Sequence, residues 1–189
     1  MKHPEVLLVP ALMLADYFVA ILSAVQREKG YSEHFKIERF ELNSIWQKDI
    51  AARRWFSPRH IVATLLVALF LVFMTEYRVI DQDTVSSFMG FSVVYLGALL
   101  GRHLCNLLTF RYVARWSAEI DGQVRMDHRL VLSMSLYQYI AMAVPVILIA
   151  VVSPTSFAIG AAGGAVSLVA CHFFWFGARQ APEAPPSSM

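Results

Sequence analysis

Residues 6–25 read VLLVPALMLADYFVAILSAV, an apolar stretch in which Asp16 is the only charged residue. A helix of this length is about 30 Å long, which matches the hydrocarbon core of a bilayer. A secretory signal peptide is the competing interpretation, because Lys2 precedes the stretch and Ser23 and Ala24 lie near its end. The full span length and the central Asp16 favour a transmembrane helix instead.

Four further apolar blocks follow, and each is long enough to cross or nearly cross a membrane. Hydrophobic residues make up 57% of the 189 residues and charged residues only 16%, whereas soluble domains contain about 25% charged residues. This composition excludes a disordered chain, a disulfide-stapled secreted domain and an ordinary cytosolic enzyme. We predict an all-α integral membrane protein, a five-span helical bundle over residues 1–178 with a disordered Pro- and Ser-rich tail over 179–189. The predicted spans cover about 6–25, 59–78, 85–110, 130–152 and 155–178.

The placement of the basic residues predicts the orientation of these spans. Of the 16 Lys and Arg residues, only Lys2 and Arg78 fall on the side of the N-terminus, and the other 14 fall on the opposite side. By the positive-inside rule, the N-terminus is outside and the C-terminus is cytoplasmic. We therefore predict a multi-pass protein of the cell membrane, the inner or plasma membrane of a prokaryote.

The first cytoplasmic loop, residues 26–58, is predicted to contain a short amphipathic helix over about 45–56. Ser44 and Gln47 match the capping-box pattern S-x-x-Q at its start. Such a helix lies in the headgroup layer, with its aromatic side chains down and its cations facing anionic lipid. The residues predicted to contact the membrane surface are Trp46, Lys48, Arg53, Arg54 and Trp55.

Upstream in the same loop, three residues of metal-binding type fall at helical spacing, namely His34, Glu38 and Glu41. Lys36 and Arg39 lie among them, and such a mixture of charges is more typical of a solvated helix face. We therefore predict no metal site, and no other part of the sequence indicates a cofactor.

The second cytoplasmic loop contains Asp121-Gly122 between alternating apolar and polar residues. Asp-Gly in this setting is a strong signal for a hairpin turn, so a small β-hairpin is predicted near residues 116–128. An isolated hairpin is only marginally stable and would have to lean on the first loop or the membrane surface. An irregular link between two helices is the alternative interpretation.

Asp16 is the main candidate for chemistry within the spans, because a carboxylate near the bilayer midplane is energetically costly. Tyr95 on the third span and Ser167 on the fifth fall at a similar depth. Pro145 on the fourth span frees the carbonyl of Ala141 from its helical partner. These groups could form a polar pocket that binds a proton or a cation, or they could simply tie the first span into the bundle.

A second polar cluster is predicted in the cytoplasmic half of the spans. It would line a vestibule or hold an anionic headgroup through Arg102. The alternative is that Arg102 and His172 reach the interface by snorkelling while Tyr137 and Tyr139 join the aromatic belt. The cluster consists of Arg102, His103, Asn106, Tyr137, Gln138, Tyr139 and His172.

Two G-x-x-x-G patterns, Gly97 with Gly101 and Gly160 with Gly164, predict sites of close helix packing. The spacing is compatible with contacts within one chain or between two chains of a homo-oligomer.

The helix containing Asp16, followed by Glu41-Leu-Asn43, resembles uncharacterised small prokaryotic polytopic membrane proteins. In that group, a helix with an intramembrane Asp precedes an E-x-N-P loop. The similarity covers about residues 11–45, and Ser44 stands here in place of the Pro. The resemblance implies a multi-pass membrane protein and no particular activity.

These observations leave three functional hypotheses. The first is a small permease or channel-like protein that uses Asp16 and the inner polar cluster as a path. The second is a non-catalytic scaffold or accessory subunit whose basic loops bind anionic lipid headgroups or a partner protein. The third is a lipid-active enzyme centred on Arg102, although H-E-x-x-H, G-x-S-x-G and C-x-x-C motifs are missing. The net charge of +2 excludes a strongly basic nucleic-acid binder.

Overall fold

The computed structural model of the protein describes residues 3–37, 46–77 and 79–178. Within these ranges, five helices are long and apolar enough to cross a membrane, which confirms the predicted number of apolar helices of spanning length. The predicted tail, 179–189, lies outside the described residues. In chain order the elements are α1 (Leu8–Arg27), α2 (Tyr31–His34), β1 (Phe35–Ile37), α3 (Gln47–Ala51), α4 (Pro58–Glu76), α5 (Gln82–Arg115), β2 (Val124–Met126), α6 (His128–Val152) and α7 (Ser156–Ala178), with 3-10 turns at Pro4–Leu7 and Ser117–Glu119.

Side-chain caps fix the starts of three of the long helices. Ser57, Asp81 and Asp127 precede α4, α5 and α6, and each accepts a hydrogen bond from the backbone N–H three residues further on. The bonds from Thr84 to Asp81 and from Leu130 to Asp127 are 2.8 and 2.7 Å long. Capping by these carboxylates satisfies otherwise unpaired N–H groups, so α5 and α6 begin slightly before the predicted spans.

The main contacts among the five long helices form a row. α5 lies in the middle between α1 and α7, α6 packs on α7, and α4 packs more loosely on α1. The end at which α1, α5 and α7 finish is called the loop end, and the end with the short α4–α5 and α6–α7 links is called the hairpin end. α5 is therefore the central helix of the row.

Close backbone contact holds α5 against α7 near the hairpin end. A Cβ on Gly160 would overlap the carbonyl of Ser87, and one on Gly164 would overlap the carbonyl of Phe91. By contrast, Gly97 and Gly101 have open space where a Cβ would lie. Gly97 and Gly101 therefore make no close helix contact within the described residues, and contact between two chains at this pair stays a prediction.

The two loops at the loop end join in a small sheet. β1 pairs with β2 in parallel, with Lys36 opposite Arg125. Beside this pairing, the Nδ1 atom of His34 lies 3.3 Å from the carbonyl oxygen of Gly122. The predicted hairpin near 116–128 is therefore wrong. Ser117–Glu119 form a 3-10 turn before Gly122. Ile120 packs against the buried cluster of Tyr31, Phe110 and Val113.

The predicted amphipathic helix over 45–56 is also shorter than expected, because α3 covers only Gln47–Ala51. The helix stops because Arg53 adopts a left-handed backbone conformation with φ of 52°. Ile50 is buried against Tyr17 and Ile21 of α1, so the apolar side of this helix faces protein rather than lipid.

The predicted helical face of His34, Glu38 and Glu41 does not continue beyond His34 in the described residues. α2 ends at His34 and β1 follows directly, while both glutamates lie outside the described residues. Among the residues that the structure describes, no group of three or more metal-binding side chains is assembled.

Candidate functional site

A cavity of about 180 Å³ lies between α1, α5 and α7, and we call it the Asp16 cavity. The volume is several times what one water molecule requires. α3 and the start of α4 close it on the side of the loop end. Its polar lining comprises Asp16, His60, Tyr95, Arg102, His103 and His172.

Asp16 and His103 form the centre of this cavity. The Oδ1 atom of Asp16 lies 3.7 Å from Nε2 of His103, slightly too far for a direct hydrogen bond. The Asp16 side chain is 24% exposed and that of His103 is 9% exposed. The pair can therefore share one proton after a small movement or through a bridging water.

The backbone near His103 is anchored to α1. The hydroxyl of Ser23 donates to the carbonyl oxygens of Val19 and His103, at 2.8 and 3.0 Å. Helical side chains lean toward the N-terminus of their own helix, so the imidazole of His103 points away from Ser23 and toward Asp16. α1 thus bonds the backbone of His103 through Ser23 and places Asp16 near its side chain.

His172 of α7 adds a second buried imidazole. Its Nδ1–H donates to the carbonyl of Leu168 at 3.0 Å, which makes the other ring nitrogen an acceptor in the neutral ring. That Nε2 atom has no hydrogen-bond partner among the described residues. The ring is 1% exposed and packs against Tyr139 and Trp175, at centroid distances of 4.5 and 5.1 Å.

Aromatic side chains form the wall of the cavity at the loop end. Tyr17 stacks on His60 at 4.3 Å, and Trp46 meets the same imidazole edge-on at 4.9 Å. The hydroxyl of Tyr17 donates to the carbonyl of Arg54 at 2.6 Å. The first loop is therefore fastened to α1 directly beside Asp16.

A second cavity, of about 120 Å³, lies between α5 and α6, and we call it the Asn106 cavity. Arg102 lines both cavities. Along α5, the lining residues Tyr95, Leu99, Arg102, Asn106 and Thr109 are spaced by four and three positions, so they share one helix face. This face extends for about 21 Å from Tyr95 to Thr109.

The chain matches no protein-family model, no curated protein and no solved structure. The resemblance over residues 11–45 therefore stays a prediction.

The structure brings together most of the predicted path residues, but not as one group. Tyr95 and His172 join Asp16 in the first cavity, whereas Asn106 and Gln138 line the second. Ser167 lines neither cavity. Pro145 lies inside α6, which continues through it.

The two tyrosines of the predicted inner cluster separate. Tyr137 is exposed, as expected for an aromatic-belt residue, while Tyr139 is buried against His172. The two residues are two positions apart in the helix, so their side chains point to different faces.

The predicted membrane-surface residues also divide into two groups. Lys48, Arg53, Arg54 and Trp55 are exposed, and Arg53 forms an ion pair with Glu28. Trp46 instead lines the Asp16 cavity, because its ring packs against His60. Whether the exposed residues contact lipid stays a prediction.

The lining residues that sequence reasoning missed include Tyr17, His60, Trp175 and Tyr31. Tyr17 directly follows Asp16, and His60 lies in the first turn of α4, so only their proximity to the predicted site could have drawn attention to them. Tyr31 packs on Phe35 and Phe110 outside the spans, and burial raises the pKa of its phenol, although the Arg27 charge lowers it. The Tyr31 hydroxyl thus stays a neutral donor near pH 7.

Proposed function

We propose that the protein is a small multi-pass membrane permease or channel-like protein in which Asp16 and His103 bind a proton or small cation. The path would run through the Asp16 cavity, along the α5 face that carries Tyr95, Leu99 and Arg102. The loop end would face the cytoplasm, as the positive-inside rule predicts.

The proposal rests on the Asp16–His103 pair. An ionisable side chain in a spanning helix is costly and is most often functional. Here a carboxylate and an imidazole lie 3.7 Å apart beside a cavity rather than in dry packing. Because the two groups compete for the same proton, protonation of one changes the charge that the other meets.

His172 supports the same function from the opposite wall. Its buried acceptor nitrogen faces no donor among the described residues, and it lines the cavity that holds Asp16. A water or a hydrated proton in the cavity would satisfy this nitrogen.

The test is ion flux in proteoliposomes that contain a pH-sensitive dye, with an imposed membrane potential. Asp16→Asn keeps the size of the side chain and removes its charge, and it is expected to lower the flux by at least about tenfold. His103→Gln is expected to have a similar effect. Asp121→Asn, which changes an exposed loop carboxylate, is the matched control and should leave the flux unchanged.

Flux of protons, Na⁺ and K⁺ that is the same for Asp16→Asn and the unaltered protein would refute the proposal. Equal size-exclusion profiles of the variants in detergent establish that any loss is not caused by misfolding.

The second candidate function, a scaffold that binds lipid or a partner, is favoured by the surface beside α3. Phe56 is 75% exposed, and Trp55 is exposed next to Arg53 and Arg54. Aromatic and cationic side chains together suit an anionic membrane surface or an acidic partner. A stoichiometric partner that co-purifies with the tagged chain would favour this function over transport.

A further inference from the structure

Apart from Arg102, the side chains that line the Asn106 cavity have no role in the proposed cation path. Hydrogen-bond donors come from several of its walls: the Arg102 guanidinium and Asn106 amide from α5, the Gln138 amide from α6 and the Tyr31 hydroxyl from the first loop. Within residues 3–37, 46–77 and 79–178, no Asp or Glu lines it. Such a site favours a negatively charged group.

Asn106 lacks a partner for its donor group. Its Nδ2 atom is buried and has no hydrogen-bond partner among the described residues. A buried amide donor without an acceptor destabilises the folded protein, and an acceptor in the cavity would remove that cost.

The position of the cavity suits a ligand that enters from the membrane boundary. Tyr31 and Met126 close it at the loop end, and Val131 and Ser135 lie within the first turns of α6. Met134 and Gln138 also line it and are exposed on the outer side of α6. An acidic headgroup at this depth could therefore reach the cavity from the side.

We propose that the Asn106 cavity binds a single phosphate or carboxylate group, with Arg102 as the charged anchor and the Asn106 amide and Tyr31 hydroxyl as additional donors. The volume of about 120 Å³ accommodates one such group with water. The ligand is either the headgroup of an anionic lipid or a free small anion. The site does not depend on ion flux through the Asp16 cavity, because binding can be measured in detergent without a gradient.

The experiment compares the unaltered protein with its variants, each purified in neutral detergent. Binding is measured by native mass spectrometry and by thermal unfolding. The probes are dioleoyl phosphatidylglycerol, dioleoyl phosphatidylcholine and inorganic phosphate. Asn106→Asp preserves the side-chain size but places a carboxylate in the cavity, and Arg102→Gln removes the anchor. Arg111→Gln, on an exposed position of the same helix, is the matched control for loss of one positive charge.

If the site holds a lipid headgroup, the protein retains phosphatidylglycerol in preference to phosphatidylcholine. Asn106→Asp and Arg102→Gln then weaken this retention by at least about tenfold, and Arg111→Gln does not. If the site holds a free anion, inorganic phosphate raises the unfolding temperature in the unaltered protein and in Arg111→Gln but not in the two cavity variants.

Two results would overturn the proposal. One is the absence of any effect of phosphatidylglycerol or phosphate on the unaltered protein. The other is equal loss in Arg111→Gln and the two cavity variants, since that pattern reflects general surface charge. Because Asn106→Asp barely changes volume, it remains informative if Arg102→Gln does not fold.

Discussion

Helices α5 and α7 pack together in two different ways along their length. At the hairpin end their backbones touch, since Gly160 and Gly164 lie against the carbonyls of Ser87 and Phe91. Toward the loop end, Tyr95 of α5 and His172 of α7 line a cavity instead. The same two helices thus provide a close contact and a polar space.

The difference follows from the size of the side chains. Small residues let helix backbones approach closely, whereas His172 and Trp175 occupy α7 two to three turns further on. Two straight helices in close contact at one point diverge away from it. The glycine contact therefore acts as a pivot, and the cavity is a consequence of the resulting separation.

The largest expected effect concerns the pivot. Gly160→Ala places a methyl group against the Ser87 carbonyl, and we expect the free energy of unfolding in detergent to fall by about 3 kcal/mol or more. Gly101→Ala has open space around its Cβ and is the matched control. In a helix this change is otherwise stabilising by up to about 1 kcal/mol, so equal losses at both positions would contradict the idea of a pivot.

A second experiment compares the wet and dry regions of α5. In a variant without Cys105 and Cys171, Leu99→Cys lies in the Asp16 cavity and Met89→Cys lies in the core of the hairpin end. Water-soluble thiol reagents react with the thiolate, so we expect Leu99→Cys to be labelled at least about tenfold faster. Similar labelling rates would mean that the cavity is closed to water.

The smallest expected effect concerns the loop end, where α1 and α5 are joined by a hydrogen bond rather than by backbone contact. Ser23→Ala removes the bond to His103, and we expect a loss of about 0.6–2 kcal/mol in the free energy of unfolding. Ser133→Ala removes a bond within one helix, to Leu130, and should cost less. A loss at Ser23 as large as that at Gly160 would show that both ends are held equally tightly.

Local features of the sequence predicted much of the fold. Apolar length predicts spanning helices because lipid offers no partners to backbone N–H and C=O groups, and a helix pairs them within one segment. The prediction therefore needed no knowledge of neighbouring helices, and all five spans were found with ends displaced by only a few residues. The Ser57 cap of α4 is local in the same way, since capping depends on residues within one turn.

Pairing between distant segments was not predictable in this way. Asp121-Gly122 indicates a turn, and Gly122 does adopt a positive φ of 83°. The partner of β2, however, is β1 in the first loop, about 90 positions away in the chain. Nothing in the local alternation of residues distinguishes a neighbouring strand from a distant one.

The candidate site shows the same limit. Asp16 and His103 were each notable as polar residues in apolar helices, yet they were predicted to belong to separate clusters. Their proximity depends on the rotation of α1 and α5, which is fixed in part by the bond from Ser23. Likewise, His60 and Trp46 reach the cavity only because the first loop folds back on α1.

The sequence by itself determined the number of helices long and apolar enough to span a membrane, because helix length and hydropathy depend only on the residues of each segment. Only the tertiary structure decided which glycines touch, which polar side chains share a cavity and where β2 pairs. Those features depend on helix rotation and crossing, which are set by contacts between residues far apart in the chain. The Asp16–His103 pair exists because of such contacts.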